Sequence, residues 1–167
     1  MAERKSMDLK ECTLTFSDGT TPTANTLDID IDEGNITWTE TYNVDVKLNR
    51  GLLDYFKKGD EVPMEVSLEC RFATLKSNTG DPVSPYEFMT QTGAASAYVT
   101  TGNACDPYAF DIIVSINGTC GTSIVDEIIT FPDFTKQSIG GDFKSGQFSV
   151  KGICNALHPT SVRTAVT

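Results

Sequence analysis

Apolar and polar residues alternate along much of this chain, which predicts strands, because successive side chains on a strand point to opposite faces. Two alternating stretches are long. In residues 36–48, Ile36, Trp38, Tyr42, Val44, Val46 and Leu48 share one face, with Glu40 the exception, and Thr37, Thr39, Thr41, Asn43, Asp45 and Lys47 share the other. In residues 62–72, Val62, Met64, Val66, Leu68, Cys70 and Phe72 point one way and Glu65, Ser67, Glu69 and Arg71 the other. Each is expected to be one strand with a core face and a wet face, as in antiparallel sheets.

Shorter strands are expected at Cys12–Phe16, Leu27–Asp32, Ala109–Ile116, Ile124–Phe131 and Gln147–Ile153. Turn signals separate them at Ser17-Asp18-Gly19, Glu33-Gly34-Asn35, Asn117-Gly118 and Asp142–Gly146. The one expected helix starts at Ser84-Pro85-Tyr86-Glu87, where Ser84 caps, Pro85 takes the first helical position and Glu87 reaches back in a capping box. Gly93 is its expected stop. Residues 49–61, NRGLLDYFKKGDE, exceed a tight turn and are expected to be a long loop with Leu52, Leu53, Tyr55 and Phe56 packed on something. Residues 1–11 are expected to be an arm and 156–167 a loose tail on a single domain.

Charge narrows the partners. The 167 residues include 13 basic and 23 acidic side chains, a net of −10. That argues against ordinary nucleic-acid binding but not against proximity to DNA, which an acidic wall repels. No apolar run approaches membrane-spanning length and the start does not read as a secretory signal. Five cysteines lack CxxC spacing, so buried thiols are expected and zinc is not. Cys105 and Cys120 flank a strand, and a disulfide between them stays open.

The search for catalysis is negative. His158 is the only histidine and sits in the expected tail, and no GxGxxG, Walker A or HExxH pattern occurs. Asp28, Asp30 and Asp32 form a row of carboxylates about 7 Å apart along one strand face. Water, a metal or useful repulsion would each account for that row, although ligands strung on one flat strand cannot wrap a calcium ion. No metal or cofactor is expected. Paired carboxylates as in a glycosidase are a minor reading, because nothing sets one acid apart from another.

The segments Leu48-Asn49-Arg50-Gly51-Leu52-Leu53-Asp54, Lys57-Lys58-Gly59-Asp60-Glu61-Val62-Pro63, Cys105-Asp106-Pro107-Tyr108-Ala109-Phe110-Asp111-Ile112, Thr130-Phe131-Pro132-Asp133-Phe134 and Val150-Lys151-Gly152-Ile153-Cys154-Asn155, in order over residues 36–155, resemble the tail tube (major tail) proteins of tailed bacteriophages. The resemblance implies a mainly β fold of two packed antiparallel sheets with one short helix. It implies a non-enzymatic virion protein, assembled in the host cytoplasm, whose six-membered rings stack into a hollow tube that conducts DNA without binding it specifically. A tape measure protein inside and a sheath outside are the further partners, with no membrane. Residues 49–61 would be the inter-ring stacking loop, through Arg50, Leu52, Leu53, Tyr55, Phe56, Lys57 and Lys58. Thr39, Thr41, Asp45, Glu65, Glu69, Gln147 and Ser149 would line the lumen. The alternative is a monomeric β-sandwich binding module, for carbohydrate or adhesion, which would show exposed aromatics clustered at one face or rim.

Overall fold

The computed structural model describes residues 12–30, 35–116 and 126–164. Its strands are β1 (Cys12–Ser17), β2 (Thr26–Asp30), β3 (Asn35–Thr39), β4 (Tyr42–Asn49), β5 (Leu52–Glu61), β6 (Met64–Arg71), β7 (Leu75–Lys76), β8 (Pro82–Val83), β9 (Ala109–Ile116), β10 (Asp126–Asp142), β11 (Gln147–Cys154) and β12 (Thr160–Thr164). One helix, α1 (Pro85–Thr90), and a 3-10 turn at Gly93–Ala95 lie between β8 and β9.

Eight strands form one antiparallel sheet in the order β2-β1-β9-β10-β11-β6-β3, with β12 beside β10. The 17-residue β10 divides it into two layers. Its first part pairs with β9 and β12, and its second part pairs mainly with β11. Between them the register with β9 shifts from Phe131 to Phe134. Pro132, which has no N–H for the ladder, sits in that irregularity, as proline within a sheet must. Asp133 has a positive φ of 48° there, and its N–H donates to the Asp111 carboxylate at 2.9 Å.

A single core lies between the layers. Leu14, Phe16, Ile112 and Val114 enter it from β1 and β9, and Val66, Leu68, Phe148 and Val150 from β6 and β11. The α1 residue Phe88 brings its ring within 5.6 Å of Phe16 and 5.5 Å of Phe110. Truncating one of these buried phenylalanines to alanine costs about 3–5 kcal/mol in comparable cores.

The expected alternation holds in β6, where Met64, Val66, Leu68 and Cys70 are buried and Glu65, Glu69 and Arg71 exposed. It holds in β2 over Leu27, Asp28 and Ile29. The capping box of α1 forms as expected, with Ser84 Oγ accepting from Glu87 N and the Glu87 carboxylate accepting from Ser84 N.

Five expectations change. Residues 36–48 are two strands, because the ladder breaks at Glu40-Thr41, opposite Val62-Pro63. Residues 49–61 are not a loop but a tight turn and the strand β5. The helix ends at Gln91, itself left-handed with φ 54°, two residues before Gly93. The strand expected over 124–131 runs on through Pro132 to Asp142. Part of the tail is the strand β12, held by Ser161 Oγ donating to Glu127 at 2.6 Å and by Arg163 at 3.4 Å from the same carboxylate. The arm 1–11, Ile31, Asp32, the 33–34 turn, Asn117-Gly118 and Cys120 lie outside the described residues.

Candidate assembly surfaces

The β4–β5 hairpin leaves the sandwich as a continuation of the β3–β6 pair, at the end where Thr39 faces Glu65. Its turn is Arg50-Gly51, with φ of 51° and 83°. Two positive φ angles are the mark of the two-residue turn that matches strand twist, and glycine supplies one without strain. The register is Val44↔Lys58, Asp45↔Lys57, Val46↔Phe56, Lys47↔Tyr55, Leu48↔Leu53 and Asn49↔Leu52. It skips Asp54, so a bulge there lets the apolar run of β5 serve both faces.

Cross-strand partners share a face. One face therefore carries Val44, Val46, Leu48, Leu53 and Phe56, with Lys58 at its base. The other carries Asp45, Lys47, Asn49, Leu52, Tyr55 and Lys57. All eight large apolar residues of the hairpin, from Tyr42 to Phe56, are 51–74% exposed. Among the described residues, neither strand packs appreciably on any element except the other. The stacking candidates Arg50, Leu52, Leu53, Tyr55, Phe56, Lys57 and Lys58 are thus together in one protrusion, split between two faces. Val44, Val46 and Leu48 join them. Their alternation suggested a core face, but the ribbon has left the core.

A polar face covers the outer side of β3, β6, β11 and the end of β10. The register sets Thr39 opposite Glu65, Ser149 opposite Glu69 and Gln147 opposite Arg71. Five of the seven lumen candidates, Thr39, Glu65, Glu69, Gln147 and Ser149, are therefore neighbours on one exposed surface. Thr41 and Asp45 are not brought to it, since Thr41 lies at the β3–β4 break and Asp45 faces Lys57 on the hairpin. Arg71 and Lys151 nearly offset Glu65, Glu69 and Asp142, so the face is polar with an excess of one negative charge. A groove of about 260 Å³ crosses it between Glu69, Asp142, Gln147 and Ser149, over Gly140.

A third surface was not signalled by strand periodicity. At the far end of β6, Phe72 stacks on Phe143 of the β10–β11 turn, with centroids 5.2 Å apart and planes 16° apart. Tyr86 of α1 lies 6.1 Å from Phe72. Phe143 is 90% exposed, and Phe72 and Tyr86 are partly exposed. Pairing through the 143–146 turn brings Phe143 onto Phe72, with Phe72 N donating to Gly146 O at 2.9 Å, and α1 adds Tyr86.

Shifted titratable groups serve the fold. Burial raises Asp111, which holds Asp133 N, and burial lowers Lys136, which donates to Met89 O at 2.7 Å near the end of α1. The hydrogen bond from Ser161 lowers Glu127, helped by Arg163. Among the described residues no group of three His, Cys, Asp or Glu could hold a metal ion. His158 is exposed. Among them, too, no helix is long and apolar enough to cross a membrane. No family model matches this chain, and neither a curated protein nor a solved structure does.

Proposed function

We propose that this protein is a structural, self-assembling subunit whose copies close into rings and stack into a hollow tube, of the kind built by phage tail tube proteins, with no catalytic role. The observation that carries this reading is the β4–β5 hairpin. A two-stranded ribbon without packing is marginal in water. A ribbon with five apolar side chains on one face, and no partner for that face among the described residues, is suited to burial against another chain. Among the described residues β3 pairs only with β6, so the sandwich supplies a further open strand edge there, which ring closure would remove, whereas the edge of β2 is partly covered by the Leu27–Ser77 bridge and by the hydrogen bonds between Thr26 and Asn78. Six-fold rings, a virion location and passage of DNA rest on the sequence resemblance. In such a ring the polar face of β3, β6 and β11 would line the channel. Its small negative excess would repeat in every subunit, so that phosphates slide without sticking.

A second reading has one observation in its favour. The rim of Phe72, Tyr86 and Phe143 is the exposed aromatic cluster expected of a monomeric binding module, for which carbohydrate is the natural ligand. The two readings separate by negative-stain electron microscopy of the concentrated full-length protein near physiological salt. Rings or tubes support the structural role. Monodisperse particles of one subunit at every concentration, together with retention on a glycan array, would replace it with the binding module.

A further inference from the structure

We infer that the aromatic rim of Phe72, Tyr86 and Phe143 is the receptor for the apolar hairpin face of a second copy, making a head-to-tail contact. This inference rests on the self-assembly reading and names the partner surface within it. The hairpin joins β6 at Met64, and the rim begins just after Arg71, at the other end of the same eight-residue strand. Donor and receptor are therefore separated by roughly 25 Å of strand. Surfaces of different kinds at opposite ends of one subunit give a heterologous contact that repeats along an axis. Here that axis is set by β6.

Shape and chemistry agree. The hairpin offers a flat row of Val44, Val46, Leu48, Leu53 and Phe56, and the rim offers stacked rings. Among the described residues the hairpin and the rim together hold eleven of the fifteen exposed large hydrophobics, and the two surfaces proposed to meet hold eight of them, five on the hairpin face and three at the rim. Charge is compatible with the pairing too. Residues 42–61 carry four basic and four acidic side chains and are neutral overall, but Asp60 and Glu61 lie at the base, so the outer part, residues 44–58, carries four basic side chains (Lys47, Arg50, Lys57, Lys58) and two acidic ones (Asp45, Asp54), a net of +2. The chain outside the hairpin carries nine basic and nineteen acidic residues, a net of −10. A hairpin tip with a small positive excess approaching a negative body is attracted, whereas body against body is repelled.

The test uses two variants of the full chain. Phe56→Asp disables the donor, and Phe143→Asp disables the receptor at a site exposed enough to leave folding intact. Each alone is expected to reduce the assembled fraction at least tenfold in light scattering, with the melting temperature unchanged. Phe143→Leu is expected to retain assembly. Mixed together, the two variants still hold one intact donor and one intact receptor. They should form capped pairs, of copies or of rings, and nothing longer. Photocrosslinking from benzoylphenylalanine at position 56 of the otherwise unaltered chain should reach the peptides containing Phe72, Tyr86 or Phe143 of another copy. If the protein assembles but cross-links elsewhere, or if Phe143→Asp assembles undiminished, the receptor is wrong while self-assembly stands. Single subunits at all concentrations, with no inter-copy cross-link, would overturn both.

Discussion

The Asp18 carboxylate accepts a hydrogen bond from the backbone N–H of Val99 at 3.1 Å, tying together segments 81 positions apart in the chain. The same carboxylate accepts from Thr20 N, Thr20 Oγ1, Asn25 N and Asn25 Nδ2. Burial alone would raise its pKa. The hydrogen bonds from Thr20, Asn25 and Val99 together outweigh burial and hold it below the ordinary 3.8. A group depressed in the folded state stabilises fully above its unfolded pKa, and that contribution is lost as pH falls through the folded value. The contribution of Asp18 is therefore present at neutral pH and fades below about pH 3.8. Asp18→Asn should cost about 1–3 kcal/mol at pH 7, the penalty for leaving buried donors poorly matched. It should also flatten the acid limb of stability. Denaturant melts of both proteins at pH 7 and pH 3 check this, and equal losses on acidification would exclude Asp18 as a source of acid sensitivity.

Thiol reactivity reports the core directly. Burial pushes the Cys70 thiol up to about 12, and burial together with the charges of Asp111 and Asp133 does the same to Cys154. Thiolate is the reactive form, so neither should alkylate at pH 8 until the sandwich opens. Cys105 is exposed and should label before Cys70 and Cys154. Peptide mapping by mass spectrometry resolves the sites. Labelling of Cys70 at the rate of Cys105 in native protein would mean that β6 does not face the core.

Much of the sandwich is legible in the sequence because one rule governs it. Where a strand has one face on the core, apolar residues recur at every second position, and Met64 to Cys70 does this without interruption. The rule misleads at Val44, Val46 and Leu48, since alternation shows that one face is apolar but not what covers it. It fails at Leu52–Phe56 because the bulge at Asp54 shifts the phase by one residue, leaving an apolar run with no period. The strand expected at 124–131 continues through Pro132 because the register shift between Phe131 and Phe134, fixed by Asp133 N donating to Asp111, makes room for a residue without an N–H, and no local pattern announces that shift. The aromatic rim had no local signal, as Phe72, Tyr86 and Phe143 come from three distant segments.

Gly93 closes the capping box from outside. A Cβ at this position would lie 2.2 Å from Glu87 Oε1, and the backbone φ is +56°. Gly93→Ala should therefore displace the Glu87 carboxylate that serves Ser84 N and lose about 1–2 kcal/mol, combining cap and strain. Ser84→Ala should cost about 1 kcal/mol. Because both act through Glu87, the double variant should lose less than the sum, as coupled neighbours do. Full additivity in a double-mutant cycle would place the effect of Gly93 outside the box.

The polar face offers the sharpest test of a channel. Glu65 and Glu69 are exposed on it, and replacing both by lysine changes its balance from one excess negative charge to three excess positive charges. Surface changes of this kind usually alter stability by no more than about 0.5 kcal/mol, so folding and assembly should persist. DNA retention should rise, and it should fall steeply with added salt because binding then releases counterions from phosphates. The control is the same charge change at Asp81 and Asp106, which are exposed elsewhere on the molecule. Fluorescence anisotropy of labelled DNA threaded through or mixed with the assembled protein measures both. If the face of β3, β6 and β11 lines the channel, Glu65→Lys/Glu69→Lys retains DNA at salt concentrations where the control releases it. Equal retention by the two variants would remove that face from the path of the DNA, and the lumen would then have to be sought on the outer side of β1, β2 and β9.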